Sequence, residues 1–172
     1  MSDWYWAQTM IELRETTVIS APLGRVFDLA RSIEVHLLGN THFGEQATAG
    51  TRTGLIGMGE QVTWQARHFF VRQQLTSVIT AFDPPRYFQD TMLSGTFRSM
   101  QHDHFFRELS PADDGSSRTE MVDDFRFIAP LSGLGWITER LLLRRYMRNL
   151  LQERNVVIQR VAESDEWRRY LS

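Results

Sequence analysis

The 172-residue chain contains no cysteine. Disulfides, thiolate-held zinc and cysteine nucleophiles are therefore excluded. Lysine is missing too, so all 19 basic side chains are arginine. That bias reads as genomic before functional, because a function would have to require a guanidinium at every site. A long apolar run is also lacking. The best candidate, around Leu141-Leu142-Leu143, is cut at once by Arg144 and Arg145, whereas a membrane span needs roughly 18–20 residues. The first residues, Met1-Ser2-Asp3-Trp4-Tyr5-Trp6, offer neither a basic region nor an apolar core, so no signal peptide is expected. These absences predict a cytoplasmic soluble protein. A formal charge of −2 supplies no basic field for nucleic acid.

What is present is ordinary for a globular protein: 42% apolar and 23% charged residues. No repeat, low-complexity tract or Pro/Gly/Ser linker divides the chain, which reads as one domain over 1–172 with a core over 9–163. Residues 9–19, rich in Thr, Val and Ile, predict a first strand that Ala21-Pro22 stops. Pro22 sits where a helix can begin, and Val26, Phe27, Leu29, Ala30 and Ile33 follow at helical spacing. A second short helix is expected over 33–38, ending at Gly39-Asn40. A short strand near 45–49 leads into the glycine-rich stretch 50–59. β-rich runs then cover 61–68, 71–82, 86–93, 97–109 and 118–129, separated by turn signals such as Asp83-Pro84-Pro85 and Ser94-Gly95. Such short turns connect antiparallel strands. From 135 to 163 the pattern becomes one long helix without proline or internal glycine, with Leu143, Met147, Leu150, Val157 and Val161 on one stripe. The antiparallel sheet is the surface available to bury that stripe.

The order of strand, two short helices, six strands and long helix resembles the helix-grip fold of the START-like (SRPBCC) superfamily. The wording of the chain resembles its bacterial branch of polyketide cyclase/dehydrase-like, coenzyme Q-binding-like and "cell division inhibitor"-like proteins. The matching stretches are Ile19-Ser20-Ala21-Pro22 with Val26-Phe27, and Gly54-Leu55-Ile56-Gly57 leading into Val62-Thr63-Trp64. Further matches are Phe82-Asp83-Pro84-Pro85-Arg86-Tyr87-Phe88, Gly95-Thr96-Phe97 with His102-Asp103-His104-Phe105, and Thr119-Glu120-Met121-Val122-Asp123. The resemblance implies an α+β fold with a seven-stranded curved antiparallel sheet around the long helix. It also implies a cavity for a lipid-like, quinone-like or polyketide-like molecule. Within such a superfamily binding modules and enzymes share one fold, so fold alone does not choose between them.

The last hairpin carries the densest chemistry. Residues two apart on a strand share a face, so Met100, His102, His104 and Phe106 line one side. On the neighbouring strand Thr119, Met121, Asp123, Phe125 and Phe127 do the same. Centring the turn near residue 113 sets both histidines opposite 121–125, an inward His–His–Asp cluster among Met and Phe. Its plain reading is a hydrogen-bonded network fixing strand register. The functional readings are ligand orientation, acid–base catalysis by His102 or His104 with Asp123 orienting the ring, and metal binding. His-x-His with an Asp can supply three ligands, but the resemblance implies no metal, so neither metal nor cofactor is expected.

Trp64 and His68, four residues apart on one strand, are secondary pocket candidates, and Met147 and Leu150 complete the expected ligand wall from the helix. His36 is either a half-exposed helix residue or a neighbour of the cavity mouth. The glycine-rich stretch lacks phosphate-loop and dinucleotide patterns and reads as a flexible connection and pocket gate. Arg140, Arg144 and Arg148 fall at i, i+4 and i+8. They form either a solvated, ion-paired face or a patch for peripheral contact with anionic lipid headgroups or a partner protein. No nucleophile elbow is present. The partner expected from all this is a small apolar ligand. The alternatives are a cyclase or dehydratase using the His/Asp cluster, and a protein-interaction module whose side chains fill the cavity.

Overall fold

A computed structural model describes residues 10–41, 44–68, 71–129 and 136–171. The side chains of His68 and of residues 136–140 lie outside that description. The strands are β1 (Ile11–Ile19), β2 (Gln46–Gly50), β3 (Gln61–His68), β4 (Val71–Asp83), β5 (Tyr87–Ser94), β6 (Ser99–Leu109) and β7 (Arg118–Ile128). The helices are α1 (Leu23–Ala30), α2 (Ile33–Gly39) and α3 (Trp136–Glu163), followed by a short 3-10 turn, Asp165–Arg169. The strands form one antiparallel sheet in the order β1-β7-β6-β5-β4-β3-β2. The chain thus starts at one edge, crosses through α1 and α2 to the other, and meanders back to pair β7 with β1. This is the helix-grip architecture expected from the order of elements.

Local chemistry explains the elements. In β1, Ile11 and Leu13 are buried while Glu12 and Arg14 are exposed, the two-residue period of a half-buried strand. Pro22 opens α1, and the Ser32 hydroxyl caps α2 by accepting from the Val35 N–H at 3.4 Å. Gly50 ends β2 at φ +72°, and a Cβ there would collide with the Gln61 carbonyl oxygen. Gly50→Ala should therefore lower stability by about 1–3 kcal/mol, measured by urea unfolding. A loss below about 0.5 kcal/mol would show that the β2–β3 pairing relaxes freely.

The long helix is turned slightly from the expected stripe. Among its described side chains the most buried are Leu151, Arg154, Asn155, Ile158, Val161 and Ala162, so Val161 of the expected stripe is core while Leu143, Met147, Leu150 and Val157 are half-buried. The C-terminal half packs into solid core, whereas Leu143, Met147 and Leu150 face a cavity and stay half-buried. Polar side chains along one flank of α3 reach the free edge of β1. Arg148 and Gln152 donate to Glu15 at 2.9 and 3.0 Å, Gln159 donates to the Val18 carbonyl at 3.3 Å, and Glu163 accepts from the Ser20 N–H at 2.9 Å. Arg148 is accordingly an ion-pair partner, not part of an open basic face. Arg144 and Arg145 are exposed, and the Arg140 side chain lies outside the described residues. Among the described residues no helix is long and apolar enough to cross a membrane.

The glycine-rich connection between β2 and β3 is stitched down, contrary to the flexible gate expected from its composition. The Gly54 N–H donates to both Glu34 carboxylate oxygens at 2.9 and 3.1 Å. The Ile33 N–H donates to Gly54 O, Ile56 donates to Arg31 O, and Ile56 itself is buried. Gly50, Gly54 and Gly59 take positive φ, while Glu34 anchors the stretch to α2 and Ile56 anchors it to Arg31 between α1 and α2.

Candidate ligand cavity and its polar base

Strand register builds the site. Pairing of β6 with β7 sets His102 opposite Phe125 and His104 opposite Asp123. Pairing of β5 with β6 sets Asp90 opposite His102 and Phe88 opposite His104. All of these side chains point to the concave face, where α3 lowers Arg154 and Asn155 onto them. Gly39 permits this approach: a Cβ on it would lie 3.2 Å from the Arg154 Cα, so α2 packs directly on the helix backbone at that residue.

Asp123 is fully buried and surrounded by donors. Its Oδ1 accepts from His102 Nε2 at 2.9 Å and Arg154 Nη1 at 3.1 Å, and its Oδ2 accepts from Asn155 Nδ2 at 2.8 Å. Arg154 also donates to the Ala30 carbonyl at 3.1 Å, tying α3 to the end of α1. Burial pushes the Asp123 carboxyl up, but the Arg154 charge and the imidazole contacts outweigh it and hold the group well below the usual carboxylate range. His104 Nδ1 lies 2.8 Å from the same Oδ1, yet too obliquely for a hydrogen bond, and is left without a hydrogen-bond partner. The other face of the pair belongs to Asp90. His104 Nε2 stands 3.3 Å and His102 Nδ1 3.9 Å from Asp90 Oδ2. Burial likewise raises the Asp90 carboxyl, and the His104 hydrogen bond with the surrounding positive groups brings it below its ordinary value.

Burial pushes His102 down to about 4, with the His104 ring adding to the effect and Asp123 and Asp90 opposing it. The imidazole is therefore neutral near pH 7. Because a carboxylate only accepts, the His102 proton sits on Nε2, and Nδ1 presents a lone pair towards Asp90. The two imidazole rings lie 3.8 Å apart, and His104 stacks on Phe88 at 4.1 Å.

Above this base lies a cavity of about 560 Å³ between the sheet, α2 and α3. Trp64, Met100, His102, His104, Phe125, Met147 and Leu150 line it, as do Asp90, Arg154 and His36. Asp123, Met121 and Phe106 do not. Asp123 sits behind the histidines, while Met121 and Phe106 belong to the solid core beside α1. His68 closes β3 opposite Val71, and its side chain lies outside the described residues. His36 stacks flat on Trp64 at 4.0 Å and meets Glu45 at 3.0 Å, so it forms wall rather than solvated helix surface.

Asp90 and Arg154 are the groups that sequence reasoning missed. Asp90 alternates with Phe88 and Met92, an apolar phase that marks an inward carboxylate. Arg154 falls in the gap between Leu150 and Val157 in the helical stripe, where a seven-residue repeat points inward. Both signals were legible.

No protein-family model matches the chain, and no curated protein matches it in sequence. Solved structures do match in shape. The crystal structure of TTHA0849 from Thermus thermophilus superposes with a TM-score of 0.61 at 14% identity, covering 86% of this chain and 97% of the other. The crystal structure of Ara h 8.0201 gives 0.51 at 14% identity, covering 87% and 98%. At this identity the likeness speaks for the fold, a helix grip, and not for a ligand.

Proposed function

We propose that this START/SRPBCC-type helix-grip protein binds, and by that means carries, one small, largely apolar molecule with a polar head. The observation carrying the reading is a cavity of about 560 Å³ whose walls are Met, Leu, Phe and Trp, with hydrogen-bonding groups gathered at the Asp90–His102–His104 base. Ligand pockets typically measure about 300–1,000 Å³ and use a few placed polar groups for orientation. An apolar tail fits against Met100, Phe125 and Met147, a hydroxyl can donate to the His102 Nδ1 lone pair, and a carbonyl or quinone oxygen can accept from the Arg154 guanidinium that also lines the cavity. Lipid, quinone and polyketide skeletons all satisfy that description.

The test is occlusion. Ala66 is buried and lines the cavity, so Ala66→Trp places an indole in the ligand's space. A fluorescent naphthalene probe should bind the unmodified chain saturably, one per chain, and bind the variant at least tenfold more weakly, about 1.4 kcal/mol. The melting temperature should fall little. Equal affinity for both chains would place the probe elsewhere and remove the main support for the cavity as a binding site.

A second reading rests on one specific observation. His102 is oriented by Asp123 through Nε2 and turns a neutral Nδ1 towards the cavity, the arrangement of a general base held by a carboxylate. In a cyclase or dehydratase, His102→Ala abolishes turnover of a bound polyketide-like substrate. In a carrier it changes affinity or stability alone.

A further inference from the structure

We infer that Asp90, His102 and His104 form a binding site for a divalent first-row transition-metal ion of the zinc type at the base of the cavity. The three side chains bring one ligand atom each to within 4.8 Å of one another. They come from two hydrogen-bonded strands: His102 and His104 are two residues apart on β6, and Asp90 is directly opposite His102 on β5. Two imidazoles and a carboxylate are a donor set that Zn²⁺, Co²⁺ and Fe²⁺ accept, with positions left open for water or a ligand oxygen. Both imidazoles are deeply buried, yet all three residues line the cavity, so the open positions face the space above them.

The surroundings of the imidazoles carry the inference further. Metal-bound histidines characteristically set their second nitrogen against a carboxylate, which fixes the tautomer and turns the free lone pair to the ion. Here both rings set that nitrogen against one oxygen of Asp123, His102 Nε2 at 2.9 Å and His104 Nδ1 at 2.8 Å. His104 Nδ1 is a buried nitrogen without a hydrogen bond. A cation held at His104 Nε2 requires that nitrogen to be unprotonated, which moves the ring proton to Nδ1. The orphaned atom then gains the N–H that the Asp123 oxygen beside it can accept after a small rotation of the ring.

Charge points the same way. Asp123 is matched by the Arg154 guanidinium at 3.1 Å. Among the described residues the ion-pair partners of Asp90 are the two imidazoles, and the Arg154 charge that Asp123 holds reaches Asp90 without an ion-pair contact. The family resemblance implied no metal, and the third ligand that the sequence offered, Asp123, is already occupied by Arg154, His102 and Asn155. Asp90 supplies the position instead.

The experiment uses the untagged full chain, freed of metal by a chelator and titrated with Zn²⁺. Imidazole ring signals of the five histidines are followed by NMR, and binding heat is measured in parallel. The expected result is one ion per chain, with the signals of His102 and His104 shifting and those of His36 unchanged. Co²⁺ should give visible d–d bands that Zn²⁺ abolishes by displacement. Asp90→Asn should weaken Zn²⁺ binding at least tenfold, and Glu108→Gln, which alters an exposed carboxylate of β6 outside the cavity, should leave it unchanged. Absence of stoichiometric binding, shifts confined to other histidines, or loss of binding in Glu108→Gln would each overturn the site. The wild-type NMR titration decides the matter even where Asp90→Asn fails to fold. Because the readout is the ion itself, failure here is distinguishable from failure of the probe-binding test above.

Discussion

Asp123→Ala should lower the unfolding free energy by about 3–5 kcal/mol, the cost of removing one partner of a buried ion pair. Arg154 would remain under α3 with its side chain 8% exposed and no carboxylate. Asn155 Nδ2 and His102 Nε2 would lose their acceptor at the same time. An unpaired buried charge costs far more than the net worth of the pair, because the guanidinium has already given up its water. The same reasoning predicts partial rescue. Replacing both partners, Asp123→Leu with Arg154→Met, should recover much of the loss, since an apolar pair of similar volume is often no worse than a buried ion pair. Urea unfolding of the two single variants and the double variant makes the comparison. A single-variant loss below about 1 kcal/mol would mean that water reaches Arg154 and that the cluster is not sealed.

Phe27→Ala should cost a similar amount, about 3–5 kcal/mol, for a different reason. Phe27 is the buried centre of an aromatic group, its ring 5.7 Å from Phe82, 5.7 Å from Phe88 and 5.4 Å from Phe106. This group plugs one end of the grip and confines the cavity to the other. Truncation leaves a void among rigid rings that cannot collapse onto it, so lost burial and lost packing add. The melting temperature should drop by roughly 10 °C. Because Phe88 stacks on His104, the variant should also loosen the polar base, visible as broadened His104 ring signals. An unchanged melting temperature would show that α1 repacks over the gap.

The fold was readable because each signal that specifies it is local. Period-two alternation marks β1, turn residues bound the meander, and a run without proline or glycine marks α3. The β3 range came out as observed, and centring the last turn near residue 113 set His102 and His104 opposite 121–125, the segment in which they face Phe125 and Asp123. What failed depends on information between elements. Strand phase shows that His102 and His104 share a face with Asp123, but the depth of each is set by where α3 lands, and that put Asp123 behind the cavity wall. The helical repeat points Arg154 inward, against the usual association of charge with solvent. At this position a buried carboxylate and the Ala30 carbonyl replace water. The glycine-rich loop misled for a related reason: composition reports the conformations a backbone can reach, while Glu34, twenty residues away in sequence, selects one.

The row of contacts from α3 to the edge of β1 has a consequence for behaviour at high concentration. An open sheet ends in strands whose main-chain groups can add a strand from another chain, the first step of edge-to-edge aggregation. Gln159 occupies the Val18 carbonyl, and Glu163 occupies the Ser20 N–H just beyond the strand. The opposite edge, β2, is five residues long and ends at a left-handed glycine, too short a template for stable addition. The helix that closes the cavity therefore also guards the sheet against recruiting its own kind, and loosening its C-terminal half would threaten solubility before it altered the pocket.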